Sequence, residues 1–306
     1  MCYNAYTKSI TGFIAREGSH SGLVRAPAKR LPWDDRGRGF ESHSLRQTHA
    51  AFLYSYKLME ELYFEIFESL PRQGPGDDES TRKAFYKLAG LPEHPEILDV
   101  GCGTGRPTLV LAELSSGKIT ALDNHPPFIE ALKGNARRAG YADRIRGIVG
   151  DMNSMNFGDG SFDVIWSEGA AYIMGFKKAL DAWRPLLRPK GYMAISELVW
   201  FKEKAPLEIR DYFITGYPDM KYYKHIYPIV ESSGYKMIDY FPLPDRSWWT
   251  DYYTPAEKKI AEMRIKYRDN KDAQMLFDSF QLEMDMHKKY SPYYGYSFYI
   301  MRRKSK

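Results

Sequence analysis

The stretch that decides the fold is residues 97–105, which read Ile-Leu-Asp-Val-Gly-Cys-Gly-Thr-Gly. Its short apolar start predicts a strand. The three glycines at alternate positions let the backbone turn sharply and let a ligand approach the main chain. A helix is predicted at about 106–115, and its first free N–H groups would face that ligand. The stretch therefore predicts a strand, a ligand-binding turn and a helix.

The glycine spacing separates two interpretations of this turn. The fingerprint of nicotinamide dehydrogenases has two residues between its second and third glycines and holds a pyrophosphate at the helix N-terminus. Here one residue separates Gly103 from Gly105, and Asp99 lies two residues before the first glycine. Because a carboxylate repels a pyrophosphate and suits a ligand with a positive amino group, a dehydrogenase is the weaker interpretation.

Short apolar runs alternate with helical segments around and after this turn. The predicted strands are 97–101, 119–123, 146–150, 162–167 and 191–197, and the predicted helices are about 106–115, 126–140 and 176–187. Strands that alternate with helices predict a parallel sheet with helices on both faces, the α/β class.

Four further motifs follow the glycine turn in the chain. They are Leu122-Asp123, Gly150-Asp151-Met152, the stretch from Phe162 to Gly169, and the stretch from Leu186 to Tyr192. Together with residues 97–105 they resemble the class I S-adenosylmethionine-dependent methyltransferases over roughly residues 85–200. Within that class the resemblance is to the type 11 branch, which is similar to the ubiquinone and menaquinone C-methyltransferases.

The resemblance implies a fold and a cofactor. The implied fold is a Rossmann-like, seven-stranded, mostly parallel sheet in the order 3-2-1-4-5-7-6, with the last strand antiparallel. The implied cofactor is S-adenosyl-L-methionine, with its methionine part on the first motif, its ribose on the acid that ends strand two and its adenine after strand three. The residues that the resemblance assigns to the cofactor are Asp99, Gly101, Cys102, Gly103, Thr104, Gly105, Asp123, Asn124, Asp151, Met152 and Glu168.

Some of these assignments have a structural alternative. Asp123 is also compatible with a plain residue at the end of a strand, and Asp151 with a cap of the following turn. Cys102 lacks an evident neighbouring base, so we interpret it as a small residue that fits the turn and not as a catalytic thiol.

Residues 48–90 are predicted to form a helical lid. Leu58, Leu62, Ile66 and Leu70 recur at helical spacing with aromatic residues between them, and a second helix is predicted from Thr81 to Gly90 with Ser80 or Asp78 as its cap. The loop between the helices reads Arg-Gln-Gly-Pro-Gly at 72–76. Arg72 and Gln73 are suited to close over the methionine carboxylate, and an ordinary turn between two helices is the equal alternative.

Methyl transfer from a sulfonium needs alignment and removal of water more than it needs acid or base catalysis. A base is required only if the acceptor must lose a proton. Glu168 is the best-placed candidate, Glu197 is the second, and Tyr172 is a candidate for orienting the acceptor. A purely hydrogen-bonding role for Glu168 remains open.

The C-terminal third is rich in tyrosine and tryptophan. Strands are predicted at 234–243 and 296–302, and a helical insertion at about 245–292 separates them. Since rings suit a flat or apolar acceptor, Trp249, Tyr252 and Tyr294 are the substrate candidates. The alternative is that these rings only pack the inserted helices.

Charge and composition limit the partners. Residues 1–47 hold eight of the 44 basic residues and four of the 39 acidic ones, so the rest of the chain has a net charge of only +1. We interpret residues 1–47 as a disordered or non-native arm and residues 91–306 as the methyltransferase domain. A near-neutral body predicts a small-molecule acceptor and no nucleic-acid partner. An RNA or protein methyltransferase and a non-catalytic binding module are the alternatives.

The remaining expectations come from composition. The two cysteines, Cys2 and Cys102, predict a reducing, cytoplasmic compartment without disulfides. The histidines do not group with them at metal-ligand spacing, so no metal is expected. No apolar run is long enough to span a membrane. The many aromatic residues of the insertion are compatible with a homodimer.

Overall fold

The computed structural model describes the backbone of residues 43–305 and the side chains of residues 55–305. It contains an eight-stranded sheet in the order β3-β2-β1-β4-β5-β8-β7, with β6 paired to the end of β5. The strands are β1 (Glu96–Val100), β2 (Lys118–Asp123), β3 (Ile145–Val149), β4 (Phe162–Glu168), β5 (Leu187–Trp200), β6 (Lys221–Tyr222), β7 (Tyr235–Pro242) and β8 (Tyr294–Arg303).

Strands β1 to β5 run parallel, and β8 runs antiparallel to both β5 and β7. The predicted fold class and strand order are therefore confirmed, with β7 and β8 as the predicted sixth and seventh strands. The two-residue strand β6 is the addition that the sequence did not indicate.

Helices cover both faces of the sheet. They are α1 (His43–Glu68), α2 (Asp78–Phe85), α3 (Arg106–Leu114), α4 (Pro126–Ala139), α5 (Phe176–Trp183), α6 (Leu207–Gly216), α7 (Ile226–Ser232), α8 (Thr254–Lys266) and α9 (Lys271–Tyr290). Ile97 packs into the core shared with α1, α3, α4, α8 and α9, and Leu98 packs into the core shared with α5 and α7. Alternate residues of β1 thus bury on opposite faces, as the period of a strand requires.

The lid's second helix differs from the predicted one at both ends. Asp77 is its cap, and the Asp77 carboxylate accepts a hydrogen bond from the Ser80 N–H at 2.9 Å, so the helix begins earlier than Thr81. It ends at Phe85 because the N–H groups of Lys87 and Leu88 bond to carbonyls only three residues back. The predicted caps Ser80 and Asp78 and the predicted end at Gly90 are wrong.

The segment between β7 and β8 is helical, as the sequence predicts. It begins with a helical turn (Arg246–Trp248) and a π-helical turn (Trp249–Tyr253), and α8 and α9 follow. Both of these helices contact α1, so the insertion and the N-terminal helix pack on the same side of the sheet.

Two predictions concern parts of the chain at or beyond the described boundary. Residues 1–42 of the predicted arm lie outside the described residues, and the backbone of residues 43–47 belongs to α1. Within the described range, no helix is both long and apolar enough to cross a bilayer.

Candidate functional site

A cavity of about 580 Å³ lies at the carboxyl ends of β1, β2 and β4. Residues of α1 and of the loop that follows it also line this cavity, so the N-terminal helix contributes directly to the site. The lining residues that the argument below uses are Glu60, Tyr63, Phe64, Phe67, Arg72, Gln73, Gly101, Cys102, Gly103, Asp123, Asn124, His125, Phe128, Asp151, Met152, Glu168, Gly169, Ala170, Tyr172, Ile173 and Tyr296.

The glycine turn forms the floor of the cavity with its backbone. Gly101 and Gly103 have φ values of +74° and +54°, in the left-handed region. A Cβ at Gly101 would lie 2.3 Å from the Ala170 Cβ, and one at Gly103 would lie 2.3 Å from the Gln73 Oε1. Both the left-handed backbone and the lack of space exclude a side chain at Gly101 and Gly103. A ligand in the cavity therefore contacts the main chain at these positions.

Asp123 lies at the end of β2, beside the glycine turn. Its Oδ2 accepts a hydrogen bond from the Gly103 N–H at 2.9 Å, and its Oδ1 accepts one from the His125 N–H at 3.0 Å. Burial raises the pKa of Asp123, and these backbone hydrogen bonds partly counteract that rise. The carboxylate is held in one orientation at the cavity wall, and its binding of a ribose stays a prediction of the resemblance.

Asp151 and Met152 line the cavity after β3. The Asp151 carboxylate accepts hydrogen bonds from the Asn153 N–H at 2.8 Å and from the Asn153 side chain at 2.9 Å. These bonds lower the pKa of Asp151. The turn-capping role that was the alternative for Asp151 is thus present together with its position at the cavity.

Gln73 joins the lid to the glycine turn. Its Oε1 accepts hydrogen bonds from the Thr104 N–H at 2.8 Å and the Thr104 Oγ1 at 3.1 Å. Its Nε2 donates to the carbonyl of Phe67 in the last turn of α1 and to that of Leu70 just after the helix. A single amide therefore ties the end of α1 to the N-terminus of α3.

Arg72 is 4% exposed and is surrounded by carboxylates. Its Nη1 donates to the Glu168 Oε2 at 3.0 Å, its Nη2 donates to the Asp78 Oδ1 at 2.9 Å, and its Nε lies 3.9 Å from the Asp251 Oδ2. These contacts connect the lid, the end of β4 and the insertion.

Glu168 has a hydrogen bond at each oxygen. Besides the Arg72 bond, its Oε1 accepts from the Thr81 Oγ1 at 2.7 Å and from the Trp166 Nε1 at 2.9 Å. Since three protein donors hold this carboxylate, its geometry suits a fixed anchor of the lid more than a proton acceptor.

Three residues assigned to the cofactor do not line the cavity. Asp99 is buried beneath the turn, where its Oδ2 accepts from the Thr108 Oγ1 at 2.6 Å, and burial raises its pKa to about 7. Thr104 bonds to Gln73, and Gly105 packs so closely on α4 that a Cβ would lie 2.0 Å from the Leu132 Cδ1. These three residues therefore contact the protein on the side of the turn that faces away from the cavity.

The three substrate candidates, Trp249 and Tyr252 of the insertion and Tyr294 of β8, also lie outside this cavity's lining. The rings of Trp249 and Tyr252 pack on Tyr253, at centroid distances of 5.1 and 4.9 Å, and Tyr294 packs on Phe213 at 4.7 Å. These ring contacts are what the packing alternative predicts, and the role of the three residues toward a substrate stays a prediction.

Glu197, the second candidate base, is a buried residue of β5 and is not part of the cavity lining. Tyr217 donates its hydroxyl to the Glu197 Oε1, and burial raises the pKa of Glu197 to about 8. A carboxyl group that keeps its proton at neutral pH and does not reach the cavity is a poor general base, so this candidate is set aside. Burial also raises the pKa of the Cys102 thiol, which fits the non-catalytic interpretation.

The sequence interpretation missed the aromatic wall of the cavity. Tyr63, Phe64 and Phe67 of α1 line it, and Phe64 stacks on His125 at a centroid distance of 3.8 Å. The His125 Nε2 lies 2.7 Å from the Glu68 Oε1, which adds a second link between α1 and β2. The signal was present as rings interleaved with the helical apolar repeat, but it did not show which face they occupy.

Comparison with known proteins identifies the domain that contains this cavity. Residues 97–191 match the family model described as a methyltransferase domain. This segment thus carries a methyltransferase domain. The match includes the glycine turn, Asp123, Asp151 and Glu168.

Individual relatives extend the similarity beyond this segment. A sterol 24-C-methyltransferase of Gibberella zeae is 25% identical over 222 residues, which cover 69% of this chain and 57% of that enzyme. A 27-O-demethylrifamycin SV methyltransferase of Amycolatopsis mediterranei is 27% identical over 43% of this chain and 50% of that enzyme. The chain thus spans about half the length of these curated relatives.

Among solved structures, the chain is similar to an S-adenosylmethionine-dependent methyltransferase of Geobacter sulfurreducens in complex with S-adenosyl-L-homocysteine. The TM-score is 0.70 at 20% identity, with 79% of this chain and 98% of that chain covered. This similarity supports the fold.

The residues of the cavity fit S-adenosylmethionine, the cofactor of this domain family. Glycine backbone forms the floor, and the Asp123 carboxylate stands at the wall beside it. Glu60, Asp123, Asp151 and Glu168 supply four carboxylates around one arginine, a charge balance that suits a ligand with a sulfonium and an ammonium group.

Proposed function

We propose that this chain transfers the methyl group of S-adenosylmethionine to a small-molecule acceptor. One observation carries the proposal. The cavity of about 580 Å³ that contains the glycine turn and Asp123 is also lined by Tyr172, Ile173 and Tyr296, and we infer that a second reactant binds beside these residues. The sterol and rifamycin names of the relatives support a small acceptor.

In this proposal the residues of the turn hold the cofactor. Asp123 binds the ribose hydroxyls, the backbone at Gly101 and Gly103 lies against the methionine part, and Asn124, Asp151 and Met152 surround the adenine. When bound, the cofactor supplies an activated methyl group. Gln73 and Arg72 close the lid over this end, so that the chain excludes water from the reaction.

Glu168 and Tyr172 act at the acceptor end in this proposal. Glu168 anchors the lid through Arg72 and Thr81, which sets the shape of the cavity. Tyr172 lines the cavity and orients the acceptor. The protein then contributes alignment more than proton transfer, which is what displacement from a good leaving group requires.

The covering of the cavity argues for a small molecule over RNA or protein. Tyr63, Phe64 and Phe67 reach it from α1, and Arg72 and Gln73 reach it from the following loop. A polymer acceptor would have to displace these elements, whose contacts are largely buried. The cytoplasmic location and the homodimer remain predictions from cysteine content and aromatic composition.

A labelling experiment tests this function. The full chain would be incubated with methyl-labelled S-adenosylmethionine and, separately, with the small-molecule, RNA and protein fractions of the cells that produce it. We expect label in a small molecule, and a strong reduction with Asp123→Ala. Label in RNA or protein, or in no fraction, would contradict the proposal.

A further inference from the structure

We propose that the acceptor is an uncharged, ring-containing molecule, because the acceptor end of the cavity is walled by rings and offers no uncompensated positive group. The acceptor end is the part lined by Gly169, Ala170, Tyr172, Ile173 and Tyr296. This inference rests on the proposed function and narrows it from any small molecule to one class.

Neighbouring carboxylates already compensate the positive charge of Arg72. Among the described residues that line the cavity it is the single arginine or lysine. Glu168 and Asp78 accept hydrogen bonds from it at 3.0 and 2.9 Å, and Asp251 lies at 3.9 Å. Its Nε has no hydrogen-bond partner within the described part of the chain, but this nitrogen is buried beside Asp251. A phosphate or carboxylate on the acceptor would therefore have to separate Arg72 from a carboxylate, and separating a buried arginine from its partner is costly.

The other charged groups of the lining are acidic or paired. Glu60, Asp123, Asp151 and Glu168 carry carboxylates, and His125 lies against Glu68. A field of this sign attracts the cationic cofactor and repels an anionic acceptor.

A cationic acceptor is disfavoured for a different reason. The sulfonium carries the methyl group that must be transferred, so the acceptor atom has to approach a positive charge closely. The rings of Tyr172 and Tyr296, with those of Tyr63 and Phe67 from α1, line the surrounding wall. Rings of this kind bury the apolar body of a flat or alicyclic partner.

Binding of three matched probes tests the inference. The full chain would first be saturated with sinefungin, which carries an ammonium in place of the sulfonium and transfers no methyl. Calorimetry would then compare 2-naphthol, 2-naphthyl phosphate and 2-naphthylmethylammonium, which share one ring system and differ in charge. We expect 2-naphthol to bind at least about tenfold more tightly than either charged probe, the equivalent of one weak charge interaction.

A variant tests whether the compensated charge of Arg72 is what disfavours an anionic acceptor. Glu168→Gln removes one carboxylate from Arg72 and should tighten 2-naphthyl phosphate by about tenfold. Asp181→Asn, which removes a surface carboxylate paired with Lys177, should leave all three probes unchanged. If Glu168→Gln does not fold, Asp251→Asn tests the same compensation.

Each outcome decides between the two proposals. Failure of sinefungin to bind would contradict the proposed function. If sinefungin binds, then equal or tighter binding of a charged probe, or binding of none of the three, would overturn the neutral-acceptor inference.

Discussion

Gly103 and Gly160 have the same left-handed backbone but very different surroundings. Gly103 has a φ of +54° and its missing Cβ would lie 2.3 Å from the Gln73 Oε1, whereas Gly160 has a φ of +65° and nothing within 4 Å. Glycine spacing in the sequence was enough to predict the turn. It did not show that the lid glutamine fills the space beside it, because that contact joins residues 30 positions apart.

The same limit explains Asp99. Its position two residues before the first glycine indicated a ligand contact, yet the structure buries it against Thr108. Successive side chains of a strand point to opposite faces of the sheet. The sequence gives the position of Asp99 in its strand but does not show whether its carboxylate faces the cavity or the residues beneath the glycine turn.

We predict that replacing Gly103 by alanine weakens cofactor binding. Gly160→Ala should lose about 1–2 kcal/mol of stability, because it forces alanine into the left-handed region, and Gly103→Ala should lose more, because its Cβ also meets the Gln73 amide. Only Gly103→Ala displaces the Gln73 amide, so only it should weaken S-adenosyl-L-homocysteine binding, by about tenfold or more. Thermal denaturation and calorimetry measure the two effects, and equal binding by both variants would contradict the role of this contact.

At Glu197 we predict a pH-dependent stability. Burial raises its pKa to about 8 in the folded chain, above its unfolded value of about 4.3. The folded state therefore holds the proton more tightly, and wild-type stability should fall as pH rises from about 5 to 8. Glu197→Gln removes this component, so its advantage over wild type should grow across that range to a few kcal/mol at most, at about 1.4 kcal/mol per pKa unit.

Unfolding of wild type and Glu197→Gln in urea at a series of pH values measures this difference. Asp99, whose raised pKa acts in the same direction, is present in both proteins, so their difference isolates Glu197. Glu203→Gln, an exposed glutamate, is the control and should follow wild type. A constant difference between wild type and Glu197→Gln at all pH values would contradict the burial argument.

At the scale of the elements, the lid and the insertion differ in how far the sequence revealed them. The helical repeat around Leu62 and Ile66 predicts α1, and the loop at 72–76 contributes Arg72 and Gln73 to the cavity lining. The insertion is helical, as predicted, and the rings of Trp249 and Tyr252 both pack on Tyr253 outside the cavity lining. The sequence does not distinguish an aromatic residue that lines a cavity from one that fills a core, because aromatic side chains are favoured in both environments.

For the lid we predict that Arg72 contributes far more than a surface arginine. Arg72→Met leaves Glu168 without its cation in a buried site and should destabilise the chain by about 3–5 kcal/mol. Arg82→Met is the matched control, because Arg82 of α2 pairs with Glu113 at an exposed site and should cost about 1 kcal/mol or less. Hydrogen exchange of α2 and thermal denaturation report both, and similar losses for the two variants would refute the anchoring role.

At the scale of the whole molecule, alternation of strands and helices predicted a parallel sheet, and the resemblance supplied the strand order. The order is confirmed because the antiparallel β8 inserts between β5 and β7. What the sequence could not supply is how α1 and the insertion meet over one face of that sheet. Their contacts join residues about 200 positions apart, such as Lys259 and Glu65, and no local pattern encodes such a pairing.

The central claim is that the cavity binds S-adenosylmethionine through Asp123, and calorimetry tests it most directly. Wild type should bind S-adenosylmethionine and S-adenosyl-L-homocysteine with dissociation constants on the order of 1 µM and should not bind NADH. Asp123→Ala should weaken both by about 10- to 100-fold, the value of hydrogen bonds to a charged acceptor, while Asp159→Ala at an exposed position should change neither. Asp123→Asn, which keeps an acceptor for the Gly103 N–H, separates loss of the ligand contact from collapse of the turn. Binding of NADH, or of neither sulfur nucleotide, by the folded wild-type chain would contradict the account.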